Sequence, residues 1–184
     1  MRKPICEFLE KYNSKNPIRL HVPGHKGKNF LGYEKYDLTE IDGADELYLP
    51  TGIIKESQDN ASKIFGCPTY YTVEGSSHAI RSMLYLTKIY AILHDKKFNV
   101  LSVRNVHKSF LSACALLGAD VEWIYNENSS NYFANYLTPE ILENYLKSKK
   151  ELPCAIYITS PDYLGKTLNM HRERCQLKKA SRIF

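Results

Sequence analysis

The residues from Phe98 to Gly118 read FNVLSVRNVHKSFLSACALLG. Phe98–Val103 is a short β-rich run. Arg104–His107 breaks it with polar residues, and from about Lys108 to Leu117 apolar residues recur at helical spacing until Gly118 ends the pattern. The same alternation continues on both sides. Upstream, Thr69–Val73 reads as a strand and about His78–Leu93 as a long helix, separated by Glu74-Gly75-Ser76-Ser77. Downstream, Val121–Tyr125 reads as a strand, Pro139–Lys147 as a helix and Ala155–Thr159 as another strand. Strands that alternate with helices imply βαβ units, hence an α/β fold with a mainly parallel sheet and flanking helices.

The first third of the chain is less regular. Pro4–Tyr12 reads as a short helix with Ile5, Phe8 and Leu9 on one face. Pro17–Val22 is extended and runs into the turn Pro23-Gly24-His25-Lys26-Gly27. Phe30–Pro50 shows little periodicity, and about Ile54–Phe65 is helical up to Gly66. The expected organisation is an N-terminal helix and extended segment over 1–50, an α/β domain over 51–170 and a basic tail over 171–184. Asn126–Asn131 is a polar loop.

Composition excludes several classes. With 184 residues, 43% hydrophobic and 24% charged, the chain is globular rather than disordered. No apolar run approaches the roughly 18–20 residues that span a bilayer. Acidic Glu7 and Glu10 spoil a signal-peptide reading near the start, so the expected location is the cytoplasm. Five cysteines without a CxxC pair argue against a disulfide framework or a zinc site. Cys114 and Cys154 sit in apolar runs, where cysteine acts as a small hydrophobe. Of the +5 net charge, the segment His171–Phe184 carries +4, which points to a solvated tail rather than a nucleic-acid surface.

Four short segments could carry chemistry. Gly75-Ser76-Ser77 lies where a strand meets a helix, and unpaired N–H groups with serine hydroxyls can cradle a phosphate there. Serine before a helix is also an ordinary N-cap, so this signal alone leaves both readings open. Arg104-Asn105-Val106-His107-Lys108-Ser109 follows a strand's carboxyl end, where open α/β sheets bind ligands. His107 could stack on a flat ring there, or simply belong to a polar loop that caps a helix. His21–Gly27 contains two histidines, but Pro23 and Gly24 exclude the helical spacing that would make them a metal pair. Ser160–Gly165 again follows a strand. P-loop, GxGxxG and GxSxG patterns are absent.

The order of these segments resembles the Orn/Lys/Arg decarboxylase family. His21-Val22-Pro23-Gly24-His25-Lys26-Gly27, Asp37-Leu38-Thr39-Glu40-Ile41, Asp45-Glu46-Leu47, Glu74–Ser77, Arg104–Ser109 and Thr159–Gly165 follow one another as they do in that family. The resemblance runs from about Pro4 to Gly165. It implies the pyridoxal-phosphate (PLP) fold type I, here as the N-terminal part of the large domain. It implies that Gly75, Ser76 and Ser77 bind the cofactor phosphate, that His107 stacks on the pyridine ring, and that Ser160 and Tyr163 lie near the cofactor. His21–Gly27 resembles the stretch that helps build the dimer's active-site region. His78, and Ser77 in place of a frequent threonine, depart from the family's pattern.

The implied reaction converts lysine, arginine or ornithine to the amine and CO₂, in amino-acid and polyamine metabolism, by a homodimer or higher oligomer. Two family motifs do not occur in this sequence: the Asp-x-Ala-His strand, whose carboxylate faces the ring nitrogen, and the Ser-x-His-Lys motif with the lysine that holds the cofactor. Lys26 and Lys108 belong to other motifs. No residue here is therefore assigned a catalytic role, and the expectation is a truncated, catalytically incomplete decarboxylase. The alternative is a non-catalytic partner that dimerises with a full-length paralogue.

Overall fold

The computed structural model describes residues 2–28, 30–125 and 137–167. The polar loop Asn126–Asn131 and the tail His171–Phe184 lie outside the described residues. The chain divides into two compact units, Met1–Val73 and Glu74–Phe184.

The first unit holds α1 (Pro4–Ser14), a 3-10 turn (Glu34–Tyr36) and α2 (Ile53–Phe65). α1 starts at a proline, whose missing N–H costs nothing in a first turn. α2 stops at Gly66, which takes the left-handed conformation at φ 67°. Asp45 prepares the start of α2. Its carboxylate accepts the N–H groups of Thr51 (2.9 Å), Gly52 (2.8 Å) and Ile54 (2.9 Å), folding the 45–52 loop onto the helix N-terminus. Arg19 is buried against the Tyr12 ring and donates to the Lys35 carbonyl at 2.8 Å, which anchors the extended segment.

The second unit is a three-layer α/β assembly. It comprises α3 (Gly75–Leu93), β1 (Asn99–Val103), α4 (Lys108–Leu117), β2 (Asp120–Ile124), α5 (Pro139–Ser148) and β3 (Ala155–Tyr157). The strand order is β2-β1-β3, and both pairings are parallel. β1 is buried along its whole length, as a central parallel strand must be. Its side chains alternate between two cores. Val100 joins Leu84, Val106, Phe110, Ala113 and Cys114 beneath α3 and α4. Leu101 and Val103 join Ile124, Leu137, Leu142 and Leu146 beneath α5. Phe110 is fully buried and stacks on Tyr157, with ring centroids 4.2 Å apart.

The polar residues of the sheet are satisfied across strands. Asn99 donates to Glu122 on β2 at 2.7 Å and accepts the Cys154 N–H, just before β3, at 3.0 Å. Burial pushes the Cys114 thiol up to about 11, in keeping with a small core hydrophobe.

Two local expectations differ from the structure. Thr69–Val73 forms no strand. A strand exists through bonds to a neighbour, and among the described residues none pairs with it, so Tyr70 and Val73 stay exposed. The long helix starts at Gly75, three residues before the expected His78. Gly75, Ser76 and Ser77 are therefore its first turn and not a loop ahead of it.

Candidate functional site

The first turns of α3 and α4 meet beside the carboxyl end of β1. Gly75 opens α3 at φ +65°, a left-handed conformation that favours glycine. An ideal Cβ at that position would meet nothing within 4 Å. Backbone conformation is thus the demand on Gly75, and the space before it is open. Glu74, the N-cap of α3, makes no side-chain cap to the helix. Its carboxylate pairs with Arg81 instead. The first-turn N–H groups of α3 therefore carry the positive end of the helix dipole without an N-cap carboxylate or hydroxyl bonded to them.

α4 is capped differently. His107 is its N-cap, and the Nδ1 atom accepts the Ser109 N–H at 3.2 Å. The Ser109 hydroxyl lies 2.9 Å from the same Nδ1 and 2.7 Å from the Ser77 hydroxyl. An Nδ1 that accepts carries no proton, which puts the ring's N–H on Nε2. The imidazole is held from behind by its own helix while its outer face is exposed. The capping role and a stacking role are thus compatible, and the structure displays the first.

Of the sequence-derived candidates, Ser77 and His107 are brought together, with Ser109 between them. Gly75 and Ser76 stand exposed in the same first turn as Ser77. Ser160 lies three residues past β3, the strand next to β1, and Tyr163 is exposed in the loop that follows. In the first unit, His25 pairs with Asp37 at 2.6 Å and holds that carboxyl below its usual range. Gly24 sits at φ +122°, where a Cβ would come 2.6 Å from the His21 ring, so only glycine fits that turn. Among the described residues, no group of three or more His, Cys, Asp or Glu could hold a metal ion.

Sequence reasoning passed over two residues within its own motifs. Ser109 is the hub of the Ser77–His107 contact, signalled only by a hydroxyl in the first turn after an N-cap histidine. Asn105 is 5% exposed and donates from Nδ2 to Asp162 Oδ2 at 3.2 Å. A polar residue directly before the apolar Val106 was the signal available for it.

Two serine hydroxyls, two helix N-termini and an exposed imidazole make a cup suited to an anion attached to a flat ring. Hydroxyl hydrogens rotate to suit their acceptor, so Ser77 and Ser109 can turn from each other to an anion oxygen. The family model "Orn/Lys/Arg decarboxylase, major domain" matches residues 3–183, well past Gly165, where the recognisable motifs stop. This corrects the expectation that the resemblance ends at about Gly165, since the match covers the basic segment from His171 almost to its end. The arginine decarboxylase of Bacillus subtilis is 32% identical over 177 residues, covering 88% of this chain and 34% of that protein. That of Halalkalibacterium halodurans is 29% identical over 181 residues, covering 92% and 35%. That of Bacillus cereus is 30% identical over 174 residues, covering 88% and 36%. The chain spans about a third of the length of these curated relatives. No solved structure matches it. With its parallel α/β sheet, its joined helix N-termini and a family match over almost every residue, the chain belongs to the Orn/Lys/Arg decarboxylase family.

Proposed function

We propose that this chain supplies the phosphate cup and the ring-stacking surface of a PLP-dependent decarboxylase of basic amino acids. The observation that carries the reading is the hydrogen-bonded series Ser77–Ser109–His107, which unites the N-termini of α3 and α4. The N–H groups of Gly75, Ser76 and Ser77 and the hydroxyls of Ser77 and Ser109 hold the phosphate. His107 would stack on the pyridine ring, its orientation set by the Nδ1 cap of α4. Ser160 lines the neighbouring loop past β3. When bound, PLP supplies the electron sink for the pair left on carbon as CO₂ departs. The names of the relatives favour arginine as substrate, with lysine and ornithine as the other candidates.

Residues 1–50 act as a dimer-forming segment at the active-site region, and 51–170 as the cofactor-binding part. The 184 residues contain neither the carboxylate motif for the ring nitrogen nor the cofactor-holding lysine motif, so by themselves they release little or no CO₂. A second reading, a non-catalytic partner of a full-length paralogue, is favoured by the apolar residues exposed along α3, Leu86, Ile92 and Leu93 among them.

The test is a titration of the purified chain with PLP, followed by absorbance and equilibrium dialysis, together with CO₂ release from arginine, lysine and ornithine. Saturable binding that weakens at least tenfold in Ser77→Ala/Ser109→Ala, without turnover, is the expected result. Binding indifferent to that double change sinks the cup, and robust CO₂ release sinks the incompleteness. Co-purification with a full-length paralogue supports the second reading.

A further inference from the structure

We propose that Asn105 is a positioning residue for the ligand of this site, acting through a clamp to Asp162. The proposal rests on the cofactor reading above and deepens it. β1 and β3 are parallel neighbours, with Ser102 in register with Tyr157. The segments that follow them leave the sheet at the same, carboxyl end of the strands. One carries His107 and the other Ser160.

Asp162 organises the second segment by itself. Its Oδ1 accepts the N–H groups of Leu164 at 2.9 Å and Lys166 at 2.8 Å, and its own N–H donates to the Lys166 carbonyl at 3.0 Å. Oδ2 takes the Asn105 Nδ2 donor at 3.2 Å. That bond ties a loop closed on itself to the His107 segment.

The bond also fixes which way the Asn105 amide points. A carboxylate only accepts, so Nδ2 must face Asp162 and Oδ1 must face away. Asn105 is 95% buried by its 5% exposure, and Oδ1 has no hydrogen-bond donor among the described residues. A buried carbonyl oxygen without a donor is costly, and such groups recur where a ligand completes them. Asn105 lies two residues before His107. Its Oδ1 accepts an N–H or O–H of the ligand seated there, a donor that bare phosphate does not need to offer because the serine cup holds it. The clamp then sets the gap between the two segments, and the orphan oxygen reads the part of the ligand beyond the phosphate.

The experiment compares the full 184-residue chain with Asp162→Asn, Asn105→Ala and the exchange Asn105→Asp/Asp162→Asn. Asp162→Asn keeps an oxygen for the Leu164 and Lys166 N–H groups but presents a donor to position 105. The Asn105 amide then turns over and offers NH₂ to the ligand where an acceptor is required. The exchange restores a donor–acceptor bond between the two positions and again leaves an oxygen facing the ligand. Binding of PLP and of inorganic phosphate is measured by dialysis, and amide hydrogen exchange is followed at Leu164 and Lys166.

PLP affinity should fall about tenfold in Asp162→Asn and in Asn105→Ala, a factor that corresponds to one hydrogen bond. It should return in the exchange variant, with inorganic phosphate affinity unchanged throughout. Exchange at Leu164 and Lys166 should quicken about fivefold in Asn105→Ala, as a loop released from its tether requires. Equal losses for phosphate and PLP, or no recovery in the exchange variant, overturn the acceptor role. Unchanged amide exchange in Asn105→Ala overturns the clamp. Failure of the unsubstituted chain to bind PLP refutes the cofactor reading and the acceptor role with it, while the amide-exchange arm still decides the clamp.

Discussion

Phe110 joins the site to the core, and its removal has a calculable effect. It follows Ser109 directly in α4, is fully buried, stacks on Tyr157 and meets Trp123 edge-on at 6.4 Å. Truncating a buried phenylalanine to alanine costs about 3–5 kcal/mol, of which each aromatic pair supplies about 0.5–1.5 kcal/mol. At a urea slope of about 2 kcal/mol per molar, Phe110→Ala should lower the unfolding midpoint by about 2 M. Phe110→Leu keeps most of the volume but neither aromatic pair, and should lower it by about 0.5–1 M. Trp123 is the single tryptophan of the chain and touches both Phe110 and Arg104, so its fluorescence reports this core directly. The seating of Ser109 and His107 depends on the same side chain, and affinity for PLP should therefore drop in Phe110→Leu even in the absence of urea. A midpoint shift below about 0.3 M in Phe110→Ala would refute the account of this core, because the cavity and aromatic contributions both exceed it.

Glu122 accepts hydrogen bonds from Lys149, Asn99 and Tyr145, which hold its carboxyl below the ordinary glutamate value of 4.5. The stability this contributes is present above the unfolded-state pKa and lost as pH falls through the depressed folded value, so Glu122→Gln should flatten the melting-temperature profile below about pH 4.5. Asp45 gains charge stabilisation from the N–H groups of Thr51, Glu46, Gly52 and Lys55, which outweighs desolvation and depresses its pKa. Asp45→Ala should accelerate amide exchange in the first turn of α2 while leaving the sheet amides unchanged, and equal acceleration in both would contradict a local role. Cys114 is buried with its thiol raised to about 11, whereas Cys6 and Cys67 are exposed. In a Cys175→Ser background at pH 8, a thiol reagent should therefore label Cys6 and Cys67 in a fast phase and Cys114 only with unfolding.

The α/β class and, among the described residues, four of five helices to within about two residues were legible because their signals are local. Helical periodicity, Thr138 and Pro139 at the start of α5, and Gly66 and Gly118 as left-handed stops act over one or two turns. Of the two readings open for His107 in the sequence, the structure displays the helix cap. Pairing was not legible. Thr69–Val73 has the composition of a strand, yet a strand needs a neighbour's hydrogen bonds, and none of the described residues supplies them. The start of α3 at Gly75 depended on a left-handed φ that composition allows but does not require.

The tertiary structure alone decided which polar residues meet. Ser77 and Ser109 stand 32 positions apart, and Asn105 and Asp162 stand 57 apart. Nothing in either motif names its partner. Parallel pairing of β1 with β3 and the packing of α3 beside α4 bring them to the carboxyl end of the strands. A sequence determines what each segment prefers, because preferences are local. Which segments face each other is set by the burial of Val100, Leu101 and Phe110 between layers, a property of the whole packed unit.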